Sequence, residues 1–78
     1  MISASSRSAA LSDRECEILE HLANGQSIEE IAGTLFISPH TVRTHIKNIL
    51  RKTGTRNRAH AVALALWERR IDFQPSAA

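Results

Sequence analysis

Apolar residues recur at helical spacing in four blocks along this chain, separated by short polar breaks. In the first block Ile18, Leu19, Leu22 and Ala23 share one face. Ser12-Asp13-Arg14-Glu15 ahead of it is a capping box, in which a hydroxyl and a carboxylate satisfy orphan amides reciprocally, and Leu11 can staple back onto the helix. Asn24-Gly25 ends the block, with Gly25 free to turn left-handed. A second capping box, Ser27-Ile28-Glu29-Glu30, opens the next, where Ile28, Ile31, Ala32 and Leu35 follow the i, i+3, i+4, i+7 rule. A short Phe36-Ile37 turn follows. Ser38 then caps a third helix with Pro39 at its first position, where a missing N–H costs nothing, and Gly54 stops it. The fourth block is apolar almost all round, from Ala59 through Trp67.

The pattern predicts an all-α, compact four-helix domain with a central helix-turn-helix, its helices at about 13–23, 28–35, 39–53 and 58–70. Residues 1–10 are small and polar without periodicity and read as a flexible tail or linker end. Residues 11–72 form the domain, and 73–78 read as a second tail. A helix apolar on all sides needs cover beyond what three short helices supply. His60, Ala63, Leu64, Trp67 and Ile71 fall at i, i+3, i+4, i+7 and i+11, the spacing of a helix–helix seam, and form the expected self-association surface. Trp67 either anchors that surface or packs inward on the first helix.

The third helix divides its residues sharply. Val42, Ile46, Ile49 and Leu50 lie on one side, and His40, Arg43, Lys47 and Arg51 on the other with Thr44 beside them. Charge sharpens this division. Residues 1–37 carry two basic against six acidic side chains, net −4, and residues 38–78 carry eight against two, net +6. Between Ser38 and Arg58 there are six basic residues and no acid. A basic stripe on one face suits a polyanion, although a solvated helix with no ligand has the same composition.

At 78 residues the chain makes one small domain, too small for a deep, walled active site. No glycine-rich phosphate loop, paired-carboxylate cleft or nucleophile–base set appears, so an enzyme is not expected. Cys16 is the one cysteine, which excludes an internal disulfide and makes a small apolar filler its expected role. The histidines at 21, 40, 45 and 60 lack the i, i+4 pairing of a helical metal site, so neither metal nor cofactor is expected. No apolar run of about 18 residues spans a membrane, and the start lacks a secretory pattern. The expected setting is therefore cytoplasmic.

The residues go beyond a generic helix-turn-helix. Leu11-Ser12-Asp13-Arg14-Glu15-x-Glu17-Ile18-Leu19, Ala23-x-Gly25-x-Ser27, Glu30-Ile31-Ala32-x-x-Leu35-x-Ile37-Ser38, Thr41-Val42-Arg43-x-His45-x-x-Asn48-Ile49 and Lys52-x-Gly54-x-x-x-Arg58 together resemble the LuxR-type (GerE-like) DNA-binding domain, over about residues 11–71. The resemblance implies the output domain of a bacterial transcriptional regulator, such as a response regulator, binding double-stranded DNA sequence-specifically. Helix 39–53 would enter the major groove, and helix 58–70 would join a homodimer, formed either in free solution or only on adjacent half-sites. RNA polymerase is a further candidate partner, and no small-molecule ligand is expected in this segment.

By resemblance and by the helical wheel, Arg43, Thr44 and Lys47 are the expected base readers. Ser27, Ser38, His40, Thr41, His45, Asn48, Arg51 and Arg56 lie around them as candidate phosphate contacts. His45 sits at the border of the apolar and basic faces, where donating to phosphate and packing inward are equally open. The chain departs from the family at Ile28 and Glu29, where Asn-Lys is common, so no phosphate contact is expected at Glu29. Thr53 and Thr55 replace an apolar pair around Gly54, which implies a looser third corner. Glu15 either only closes its capping box or also pairs with a base on the third or fourth helix, such as Arg58. Two other classes use similar helices: a sigma-factor region-4-like module docking on RNA polymerase, and a helical dimerisation adaptor without nucleic acid. The 41–49 motif and the doubly apolar fourth helix favour the dimeric DNA-binding domain over the sigma-like module, and the acid-free basic stretch from Ser38 to Arg58 argues against the adaptor.

Overall fold

The computed structural model describes residues 11–71; the two expected tails lie outside them. Four helices follow in order: α1 (Asp13–Ala23), α2 (Ile28–Leu35), α3 (Pro39–Thr53) and α4 (Arg58–Trp67). α2 packs on α3, and α1 bridges α3 and α4. The core is the sum of their apolar stripes: Ile18 and Leu19, Ile31 and Ala32, Val42, Ile46 and Ile49, and Ala61 and Ala65. Leu11, Cys16, Leu22 and Leu35 pack around it.

The helix starts are closed by local chemistry. Ser12 Oγ accepts from the Glu15 amide at 3.0 Å and Glu15 Oε1 accepts from the Ser12 amide at 2.9 Å. The same exchange joins Ser27 and Glu30 at 3.1 and 2.8 Å. Ser38 Oγ accepts from the Thr41 amide at 3.0 Å, with Pro39 in the first turn. The fourth start is capped by Asn57, whose Oδ1 accepts from the His60 amide at 2.9 Å, a role not assigned from the sequence.

The ends use left-handed residues. Gly25 (φ 84°) and Gly54 (φ 68°) follow α1 and α3 as expected. α2 instead ends at Phe36, with φ 59° and ψ 43°, while the Ile37 amide donates to Ala32 O at 3.0 Å. A side chain with a Cβ is strained in that region, and the Phe36 ring is 93% exposed, so packing returns little. Phe36→Asn is expected to stabilise the domain by about 0.5–1 kcal/mol, because Asn tolerates this conformation. Thermal unfolding checks it, and an unchanged or lower midpoint would mean that the ring's contacts offset the strain.

Two expectations are corrected here. α4 stops at Trp67 rather than near residue 70, because Arg69 turns left-handed (φ 59°) and the Arg70 amide donates back to Ala65 O at 2.8 Å. Ile71 consequently folds under the helix and is 3% exposed, part of the core and not of an outward seam. At the third corner the threonines that replace the apolar pair are hydrogen-bonded. Thr53 Oγ1 donates to Ile49 O at 2.7 Å and lies 2.8 Å from Thr55 Oγ1. A hydroxyl has one proton, so Thr55 donates to Thr53 there and the two threonines tie the corner.

Candidate nucleic-acid interface

Packing of Val42, Ile46 and Ile49 into the core fixes the roll of α3 and leaves its other side to solvent. Arg43, Thr44 and Lys47 are all exposed on that side, with His40 and Arg51 on the same stripe. Arg43 and Lys47 are one turn apart, about 6 Å along the axis at 1.5 Å per residue. Thr41, His45 and Asn48 flank the stripe half-buried, and Ser27, Ser38 and Arg56 are exposed. The fold thus brings the three expected base readers to one exposed face.

Hydrogen bonds orient several of the flanking groups. Ser38 Oγ and Thr41 Oγ1 are 2.9 Å apart, so whichever hydroxyl accepts retains its own proton to donate outward. Arg51 Nη2 donates to Asn48 Oδ1 at 2.9 Å, which leaves the Asn48 amide hydrogens as outward donors. The Ser27 hydroxyl accepts from the Glu30 amide and keeps its proton. The Arg56 backbone amide donates to His60 Nδ1 at 3.2 Å, so the neutral His60 ring carries its proton on Nε2. His60, Ala63 and Trp67, at 85% exposure, lie on the open side of α4, and Leu64 is half-buried beside them.

Among the described residues two ion pairs join separate helices, and only the first was unforeseen, since pairing of Glu15 with a base on the third or fourth helix was one of the expected alternatives. Arg43 Nη2 lies 3.7 Å from Glu29 Oε2, so an acid of α2 meets an expected base reader of α3 across the turn. Sequence spacing gives no signal for this pair. Glu15 pairs not with Arg58 but with Lys52, whose Nζ donates to Oε1 at 3.0 Å and Oε2 at 3.1 Å. Glu15 is 4% exposed. Burial pushes its carboxyl up, but the Ser12 amide and the Lys52 ammonium outweigh that together and hold it below the usual carboxylate value. Lys52 is thereby committed to the fold rather than to the outer stripe. Burial also pushes the Cys16 thiol up, against the pull of Arg70, and the side chain packs beside the core. Among the described residues no three metal-binding side chains group together, and no helix is long and apolar enough to cross a membrane.

Residues 9–65 match the family described as bacterial regulatory proteins, luxR family. The chain is 47% identical over 62 residues to the probable transcriptional regulatory protein NarL of Mycobacterium tuberculosis H37Rv, covering 80% of this chain and 29% of that protein. It is 49% identical over 61 residues to the CsgBAC operon transcriptional regulatory protein of Escherichia coli K12, covering 78% of this chain and 28% of the relative. It therefore spans under a third of the length of these curated relatives. The solved structure of the transcription factor GerE superposes with a TM-score of 0.79 at 34% identity, covering 82% of this chain and 96% of that one.

Proposed function

The chain belongs to the luxR family of bacterial regulatory proteins, as a helix-turn-helix DNA-binding domain, and we propose that it reads a specific double-stranded sequence through the outer face of α3. The observation that carries this is the co-presentation of Arg43, Thr44 and Lys47 on the side of α3 opposite its buried stripe. Arg and Lys donate to guanine O6 and N7, and a Thr methyl meets a thymine methyl. Ser27, Ser38, His40, Thr41, His45, Asn48, Arg51 and Arg56 surround them as phosphate contacts that set register without carrying sequence information. The family is one of regulators rather than of enzymes.

The domain pairs with a second copy through α4 when it binds. The exposure of Trp67, Ala63 and His60 supports this, with Leu64 at their edge. An indole exposed in the single domain suits an interface anchor. Trp67→Ala is expected to weaken binding to a two-fold duplex about tenfold or more, with little change in thermal stability or in binding to a half-site duplex. Equal effects on the two duplexes would remove Trp67 from the interface.

Selection from random double-stranded DNA at moderate salt tests the function directly. A two-fold symmetric motif is expected, with a half-site spacing set by the α4 pairing. Recovery of DNA without any enriched motif would overturn sequence-specific reading.

A further inference from the structure

We propose that Glu29 is a specificity-setting positioning residue: its carboxylate holds Arg43 toward a base edge and penalises the use of that arginine on backbone phosphates. This rests on the DNA-binding role of α3 given above. Glu29 belongs to the first turn of α2, and its Oε2 reaches Arg43 Nη2 at 3.7 Å across the helix-turn-helix. The side chains are 70% and 57% exposed, so the pair does little for stability. Its significance is its location, because it sets a negative charge beside a reader within an otherwise basic stretch.

The guanidinium is a planar fork with five donors. One edge can stay beside Glu29 while the other meets guanine O6 and N7. Phosphates line duplex DNA at one charge per about 1.7 Å of axis, so an Arg43 that turns to the backbone brings Glu29 close to like charges. That repulsion acts in every register, but only the correct base offers Arg43 a contact compatible with its tether. Glu29 therefore lowers non-specific binding more than specific binding.

The experiment compares wild-type protein, Glu29→Gln, Arg43→Ala and the double variant, titrated against the duplex recovered by selection and a scrambled duplex of equal composition. Glu29→Gln keeps the shape and leaves the Ser27–Glu30 capping box untouched. It is expected to raise affinity for the scrambled duplex about two- to fivefold, with a smaller gain on the selected one, so the ratio of the two falls. Its non-specific salt slope should steepen, by up to about 0.9 if Arg43 gains one phosphate. In the Arg43→Ala background the change in ratio should vanish. An unchanged ratio in Glu29→Gln, or the same fall without Arg43, would overturn the proposal while leaving DNA binding intact. A wild-type protein that does not distinguish the two duplexes would overturn the DNA reading itself.

Discussion

Replacing Arg43 and Lys47 together with alanine is expected to remove selective DNA binding while leaving the fold unchanged. Each is exposed and neither contributes to the core, so the thermal midpoint should hold. A bidentate or well-placed base contact discriminates by about 1–3 kcal/mol, and two such losses leave the cognate duplex bound little better than any other. One turn apart, they can couple, so the double loss need not equal the sum of the single ones. Titration of the selected and scrambled duplexes at fixed salt checks this. The ratio of affinities should fall toward one, and each single variant should blur preference at its own base position. Equal losses on both duplexes would instead make these two side chains phosphate contacts.

The largest effect on stability is expected at Glu15. Its carboxylate accepts from the Ser12 amide, closing the start of α1, and from the ammonium of Lys52 through both oxygens, tying that start to the last turn of α3. Glu15→Ala removes the cap and the tie and deprives a partly buried ammonium of this carboxylate. A cost of about 2–4 kcal/mol is expected, below the full penalty for breaking a buried pair because the Lys52 side chain is 31% exposed and retains access to water. That is a large share of the stability of so small a domain. The carboxyl is held below its usual value in the folded state, so between that lowered value and the ordinary one the unfolded chain binds more protons. The stabilisation is complete above the ordinary carboxylate value and is lost as pH falls through the lowered one. Denaturant titrations across the acid range should show wild-type stability falling faster than that of Glu15→Gln. Parallel curves would mean that Glu15 carries no proton-linked stability.

Legibility in the sequence followed the range of each interaction. Ser12 with Glu15, Ser27 with Glu30, and Ser38 with Pro39 are local devices, and the helix starts fall where these residues require. The outer face of α3 was legible for the same reason: periodicity alone separates Val42, Ile46 and Ile49 from Arg43 and Lys47. The end of α4 was not, because Arg69 adopts a conformation usually reserved for glycine and the burial of Ile71 draws the chain under the helix. Extending the apolar period to Ile71 therefore put it on the wrong side. The partner of Glu15 lies 37 residues away and is decided by how α1 settles against α3, which no local pattern encodes. Glu29 meets Arg43 only once the α2–α3 angle exists. That angle rests on Phe36, whose left-handed backbone no residue preference announces.

The Phe36 turn also bears on how quickly and tightly a partner can be engaged. A residue with a Cβ has a far narrower left-handed basin than glycine, so this joint has little freedom to swing. The relative orientation of α2 and α3 is set when the chain folds, and the entropy of ordering it is spent then and not at encounter. If α3 reads DNA as proposed, the strain at one exposed phenylalanine corresponds to a preorganised helix pair, and relieving it with a more permissive residue trades rigidity at the joint for thermal stability.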